Sequence, residues 1–148
     1  NLKNLNSTLK QNLKNWISNS KIMSDSVDIF DAKILNIAIF FKAIAEAGAD
    51  KAIVMSAAKK ALRDYFRLNP NSIGEAILIQ KLINVVNEAT GINDVIELNV
   101  NLKTGVSYSN LNYDLLGNYS SDGRKIFIPK NVIWEVKLPF ADINGEIR

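Results

Sequence analysis

The chain contains no cysteine and no histidine. Without cysteine there is no disulfide, no thiolate nucleophile and no thiolate-bound metal, so redox compartment leaves no trace in the sequence. Without histidine the commonest general base and the commonest nitrogen ligand are both missing. Together these absences exclude Ser-His-Asp and Cys-His triads, histidine-ligated zinc sites and most transition-metal sites, leaving only carboxylate, Lys, Tyr and Ser chemistry. No cofactor is therefore expected, and no catalytic activity. Long apolar runs are also lacking: the richest stretch, Ile34 to Ala45, is interrupted by Asn36 and Lys42, so no segment is expected to insert in a membrane. The first residue is Asn1, and the residues after it carry no signal-peptide pattern, so the chain reads as a fragment of something larger.

What is present is ordinary for a globular protein. Of 148 residues, 47% are hydrophobic and 22% charged, which supports a buried core. The net charge of +3 is spread as single Lys and Arg residues with one doublet, Lys59-Lys60. A phosphate-binding surface normally shows a denser basic stripe with stacking aromatics, so the doublet reads as the solvated face of a helix and no nucleic-acid partner is expected.

Apolar residues set the elements. Leu2, Leu5, Leu9, Leu13, Trp16 and Ile17 recur every three or four positions, the period of an amphipathic helix. Its sticky face has two possible destinations, the domain's own body first and a partner's helix second. Asp25, Asp28 and Asp31 lie three apart but lack the alternating ligands and central glycine of a calcium loop, and read as solvated or capping residues. Leu35, Ile37, Ile39 and Phe41 alternate as a strand. Asp50 caps a helix with Ile53, Val54, Ala57, Ala58, Ala61, Leu62, Tyr65 and Phe66 on its apolar stripe, ending near Arg67 before Asn69-Pro70. Ser72 to Glu75 reads either as a capping box or as the lead-in to a short extended piece, with a helix firm from Leu78. Thr90-Gly91 closes that helix, and Ile96, Leu98, Val100 and Leu102 alternate as a strand with one wet face. Ser120 to Gly123 is a turn between strands at Lys125 to Ile128 and Val132 to Leu138, after which the tail from Phe140 shows no period.

The implied architecture is α+β: a two-layer sandwich, with a helix pair on one face of a small, mostly antiparallel sheet and an amphipathic N-terminal helix before it. Residues 1–30 form that helix and a polar loop, 31–138 the α+β domain, and 139–148 an extended arm.

Three pieces of sequence carry a resemblance. Ala61-Leu62-Arg63-Asp64-Tyr65-Phe66, Ile73-Gly74-Glu75 and Ala89-Thr90-Gly91-Ile92-Asn93-Asp94-Val95 are similar to the C-terminal region of the baseplate J-like family, where a helix ending in a Leu-x-x-Tyr-Phe-like run precedes an Ile-Gly turn, a helix and a glycine step into a strand. On either side, Asn15-Trp16-Ile17 to Met23-Ser24-Asp25 with Asp31 to Phe41, and Trp134-Glu135-Val136-Lys137-Leu138-Pro139 with Asp142-Ile143-Asn144-Gly145, resemble the flanks of T4-type baseplate wedge subunits. The resemblance implies a structural virion component of a contractile phage tail, assembled in the host cytoplasm. Its implied partners are other copies of the chain, paired between neighbouring wedges in an inner ring, and other wedge proteins.

For such a role the candidate interface residues are Leu5, Leu9, Leu13 and Trp16 on the first helix, with Trp134 and Phe140 as aromatic anchors. Trp134 reads first as a core residue. An enzyme would need Asp64 or Glu88 gathered with Lys59 or Tyr65, which no motif assembles, and the structural reading expects no convergent polar pocket. A small nucleic-acid or regulatory module is the other alternative, but Phe127 stands alone in its strand, without the alternating aromatics of RNA-binding sheets.

Overall fold

The long strand β1, Lys33–Ala45, organises the protein because its alternation of Leu35, Ile37, Ile39, Phe41 and Ala43 turns one continuous apolar row to the inside. The computed structural model describes residues 2–19 and 26–148. Within them the chain is mixed α and β, with four helices and a mostly antiparallel set of strands. The order is α1 (Ser7–Ser18), β1, α2 (Lys51–Leu68), β2 (Ile77–Leu78), α3 (Ile79–Asn87), β3 (Ile92–Leu102), β4 (Lys125–Ile126), β5 (Val132–Glu135), α4 (Pro139–Asp142) and β6 (Ile143–Ile147).

β1 is central. It pairs antiparallel with β3, from Ile37 opposite Leu102 to Ala45 opposite Ile92. On its other side it pairs parallel with two short strands in succession, β5 along Lys33 to Asn36 and β6 along Ile39 to Ala43. A separate antiparallel pair joins β2 to β4. α2 packs on β6 and α3, and α3 packs on β3. Val54, Ala58 and Leu62 of α2 and Leu82 and Val86 of α3 join the inward row of β1 in one core.

Local chemistry explains the boundaries. The Asp50 carboxylate accepts the Ala52 and Ile53 amides and so satisfies two of the orphan donors that open α2. The Asn69 side chain donates to the Tyr65 carbonyl at its end, one residue before Pro70. The Glu75 carboxylate accepts the Ser72 amide, but a turn forms there rather than a helix: Gly74 stands at φ +75° and the chain extends as β2 before α3 begins. Gly91, at φ +84°, turns the chain from α3 into β3.

Several expectations need correction. The tail is no extended arm: after the single turn α4, Ile143 and Ile147 are buried and the segment is a strand of the main sheet. The strand foreseen from Val132 to Leu138 stops at Glu135, because Leu138 begins the turn that becomes α4. Lys125 to Ile128 shortens to β4, which pairs with β2 and not with its neighbour in sequence. Ile96 breaks the alternation of β3 and is 50% exposed, since the register slips between Lys42 and Ala43 and leaves it opposite no residue of β1. Ile53, foreseen on the buried stripe of α2, is exposed beside the cap.

Candidate functional site

α1 begins at Ser7, with the Asn6 side chain accepting the Leu9 amide, so Leu2 and Leu5 lie in the lead-in and Leu9, Leu13 and Trp16 on the helix. At 3.6 residues per turn, Leu13 and Trp16 fall within about 40° of Leu9, whereas Lys10 and Lys14 lie about 100° and 140° round. The lysine side faces the domain. Lys10 Nζ is 2.6 Å from Asp31 Oδ2 and Lys14 Nζ is 3.5 Å from Asp28 Oδ1. The two aspartates therefore bind lysines rather than cap a helix; Asp25 lies outside the described residues.

No residue of α1 is buried. Leu5, Leu9 and Leu13 are exposed and Trp16 is 71% exposed, which overturns the expectation that this face packs on the domain's own body. Phe140 is also open, 83% exposed, with the Arg63 guanidinium 4.6 Å above its ring. Trp134 differs. It is 4% exposed, its indole N–H donates to the Glu75 carbonyl at 2.9 Å, and Phe66 meets it edge to face. It is a core residue with no surface to offer a partner, so its place among the interface candidates is withdrawn.

Two concave regions lie either side of the lead-in. One is a groove of about 640 Å³ between α2 and the turn after β5, floored by Phe66, Ile133 and Val136 and rimmed by Arg63, Arg67 and Phe140. The other, about 520 Å³, mixes polar and apolar lining and includes Asp31, Asn36, Tyr108, Ser109 and Glu135. Its polar groups bind one another. The buried Asn36 accepts the Ser109 amide at 2.6 Å and donates to Glu135 at 3.2 Å, and Glu135 accepts the Leu2 amide. Next to it the buried Asp142 accepts the Tyr108 hydroxyl at 2.7 Å and the Leu138 amide at 3.0 Å, with Lys103 Nζ 3.9 Å away. The bond to Asp142 pushes the Tyr108 phenol above its ordinary value. Among the described residues no buried side-chain polar atom lacks a partner.

Lys60 and Arg67 both hold Asp64, whose carboxyl is kept below the usual range first by the hydrogen bond from Lys60. Lys59 donates to Asn144, so half of the lysine doublet is engaged with β6. Glu88 is exposed at the end of α3, and the Tyr65 ring lies edge to face with Phe66. Among the described residues no group of three or more acidic side chains could hold a metal ion, and no helix is long and apolar enough to cross a membrane.

The Asp28/Asp31 latch and the groove escaped the sequence reading. Acidic and basic residues at matching spacing, Asp28 and Asp31 against Lys10 and Lys14, were the available signal for the first. No family model matches the chain, and no curated protein matches it.

Proposed function

We propose that this chain is a non-catalytic assembly domain, a structural piece of a contractile-tail baseplate wedge, as its resemblance to the baseplate J-like family implies. On this reading its fold is a two-layer sandwich, with α2 and α3 on one face of the sheet and an amphipathic α1 held apart as a docking element. Its partners are further copies and other wedge proteins, and its place is the virion.

One observation carries the reading. α1 is fastened by its lysine side and turns Leu9, Leu13 and Trp16 to solvent. Apolar burial is worth about 25 cal/mol per Å², so a helix that leaves its apolar side bare gains most of its stability once something covers it. Proteins leave large contiguous apolar surface open chiefly where another surface binds.

The test is sedimentation over a range of concentrations. The chain is expected to associate, and Leu9→Glu with Leu13→Glu to weaken that association at least tenfold while the far-ultraviolet spectrum of the core is kept. A chain that stays monomeric at the highest concentrations, or a double variant that associates as before, would sink the proposal. Salt-sensitive binding to RNA or DNA would favour the nucleic-acid alternative.

A further inference from the structure

We infer that the groove between α2 and the turn after β5 receives the acidic segment Val27–Asp31 of a second copy, with Phe30 as the inserted anchor. This goes beyond the α1 surface and does not depend on it.

The segment has the shape of a ligand. It belongs to no helix or strand, and its exposure alternates: Asp28 and Phe30 are exposed, while Val27, Ile29 and Asp31 are half-buried. Residues two apart in an extended chain share a side, so a carboxylate and an aromatic ring are presented together. At 86%, Phe30 is among the most exposed aromatic side chains of the molecule. Asp28 is only loosely engaged, 3.5 Å from Lys14 with its side chain 66% exposed, so a second cation can approach it.

The groove complements both features. Its floor of Phe66, Ile133 and Val136 is apolar, and its volume of about 640 Å³ exceeds what one aromatic side chain fills. The lining also carries two carboxylates, Asp64, held by Lys60 and Arg67, and Glu135, which accepts from Asn36 and the Leu2 amide. Arg63 at the rim has no ion-pair partner among the described residues and lies over the Phe140 ring. Asp28 of the incoming copy would meet Arg63 while Phe30 enters beside Phe140. Arginine next to a desolvated aromatic is a frequent composition of dominant interface contacts. α1, whose described charged residues are all lysines, fits this arginine rim poorly. Because donor and acceptor are different surfaces, the contact either closes as a reciprocal two-fold exchange of segments or continues head-to-tail into a ring or filament.

A labelled peptide spanning Ser26 to Ala32 tests the groove directly on the full chain. It is expected to bind, with affinity falling as salt rises. Phe30→Ala in the peptide and Arg63→Glu in the protein should each weaken binding about tenfold or more. Equal binding by a peptide with both aspartates replaced by asparagine would overturn the second-copy assignment in favour of a purely apolar ligand. No binding, or binding that ignores Arg63→Glu, would overturn the site.

The chain's lack of cysteine allows a second measurement. Ser26→Cys protein mixed with Ala141→Cys protein, both carrying Leu9→Glu and Leu13→Glu, should form the mixed disulfide in preference to either like pair. Only like pairs, or none, would sink the contact between segment and groove, and with α1 disabled this failure is separate from any failure of the α1 surface.

Discussion

Tyr108 and Asp142 fasten the loop after β3 to the turn before β6, and they do so through one hydrogen bond from a half-buried hydroxyl to a buried carboxylate. The buried carboxylate is satisfied by the Tyr108 hydroxyl and the Leu138 amide, with the Lys103 ammonium nearby. Removing a partner from a buried acceptor costs about 1–3 kcal/mol, more than a surface ion pair contributes. The bond also raises the Tyr108 phenol, first because ionising it would forfeit the hydrogen bond it donates to Asp142, with desolvation and then the repulsion of the Asp142 charge adding to this. Linkage turns this into a dependence on pH. A group whose folded value is raised stabilises fully below its unfolded value, about 10 for tyrosine, and loses that contribution as pH climbs through the folded value. Wild type should therefore exceed Tyr108→Phe in stability by a constant margin at neutral pH, and the margin should shrink above about pH 10. Urea denaturation across that range reads it, and a margin that grew with pH would refute the assignment.

Among the elements, those announced by a strong period were legible and those carried by small residues were not. β1 could be read because five alternating positions are apolar, and α2 because Asp50 and Asn69-Pro70 mark its ends. β6 was hidden by a glycine. Its inward positions are Ile143, Gly145 and Ile147, and the middle one must be small because a Cβ there would stand 2.7 Å from the Phe41 carbonyl oxygen and 2.8 Å from its ring. A steric demand of the partner strand thus erased the alternation that would have revealed the strand. Residue period located the apolar side of α1 but gave no sign of which side faces the domain, since that depends on Asp28 and Asp31 well beyond the helix. This makes the two lysine pairs the testable feature of the element. Isolated helices of about 12 residues are marginal in water, so α1 relies on them. Lys10→Glu with Lys14→Glu should abolish the amide protection of Ser7–Ser18 in hydrogen exchange and change global stability by no more than about 1 kcal/mol, because exposed and half-exposed pairs contribute little. Loss of protection in β1 or α2 would show instead that α1 belongs to the cooperative core.

At the scale of the molecule, every ladder of the main sheet runs through β1, and its parallel partners come from the far end of the chain: Lys33 pairs with Val132, and Ala43 with Ile147. Neither edge of β1 can be completed locally. Pairings this distant require loop closure before any contact rewards it, which places folding in the millisecond-to-second range typical of non-local topologies. It also makes the last ten residues structural. Burying Ile143 and Ile147 contributes about 1.5–3 kcal/mol each, and their loss would strip the backbone bonds along half of β1 as well. Set against the roughly 5–15 kcal/mol that holds a domain together, the deficit is large enough to unfold it. A chain ending at Leu138 should lose the sharp thermal transition and bind a hydrophobic dye, and a peptide of Pro139 to Arg148 added in excess should restore the transition in part. If the truncated chain melts as cooperatively as the whole, β6 is an attachment to a sheet already complete, and the central position of β1 in the folding of the molecule is lost with it.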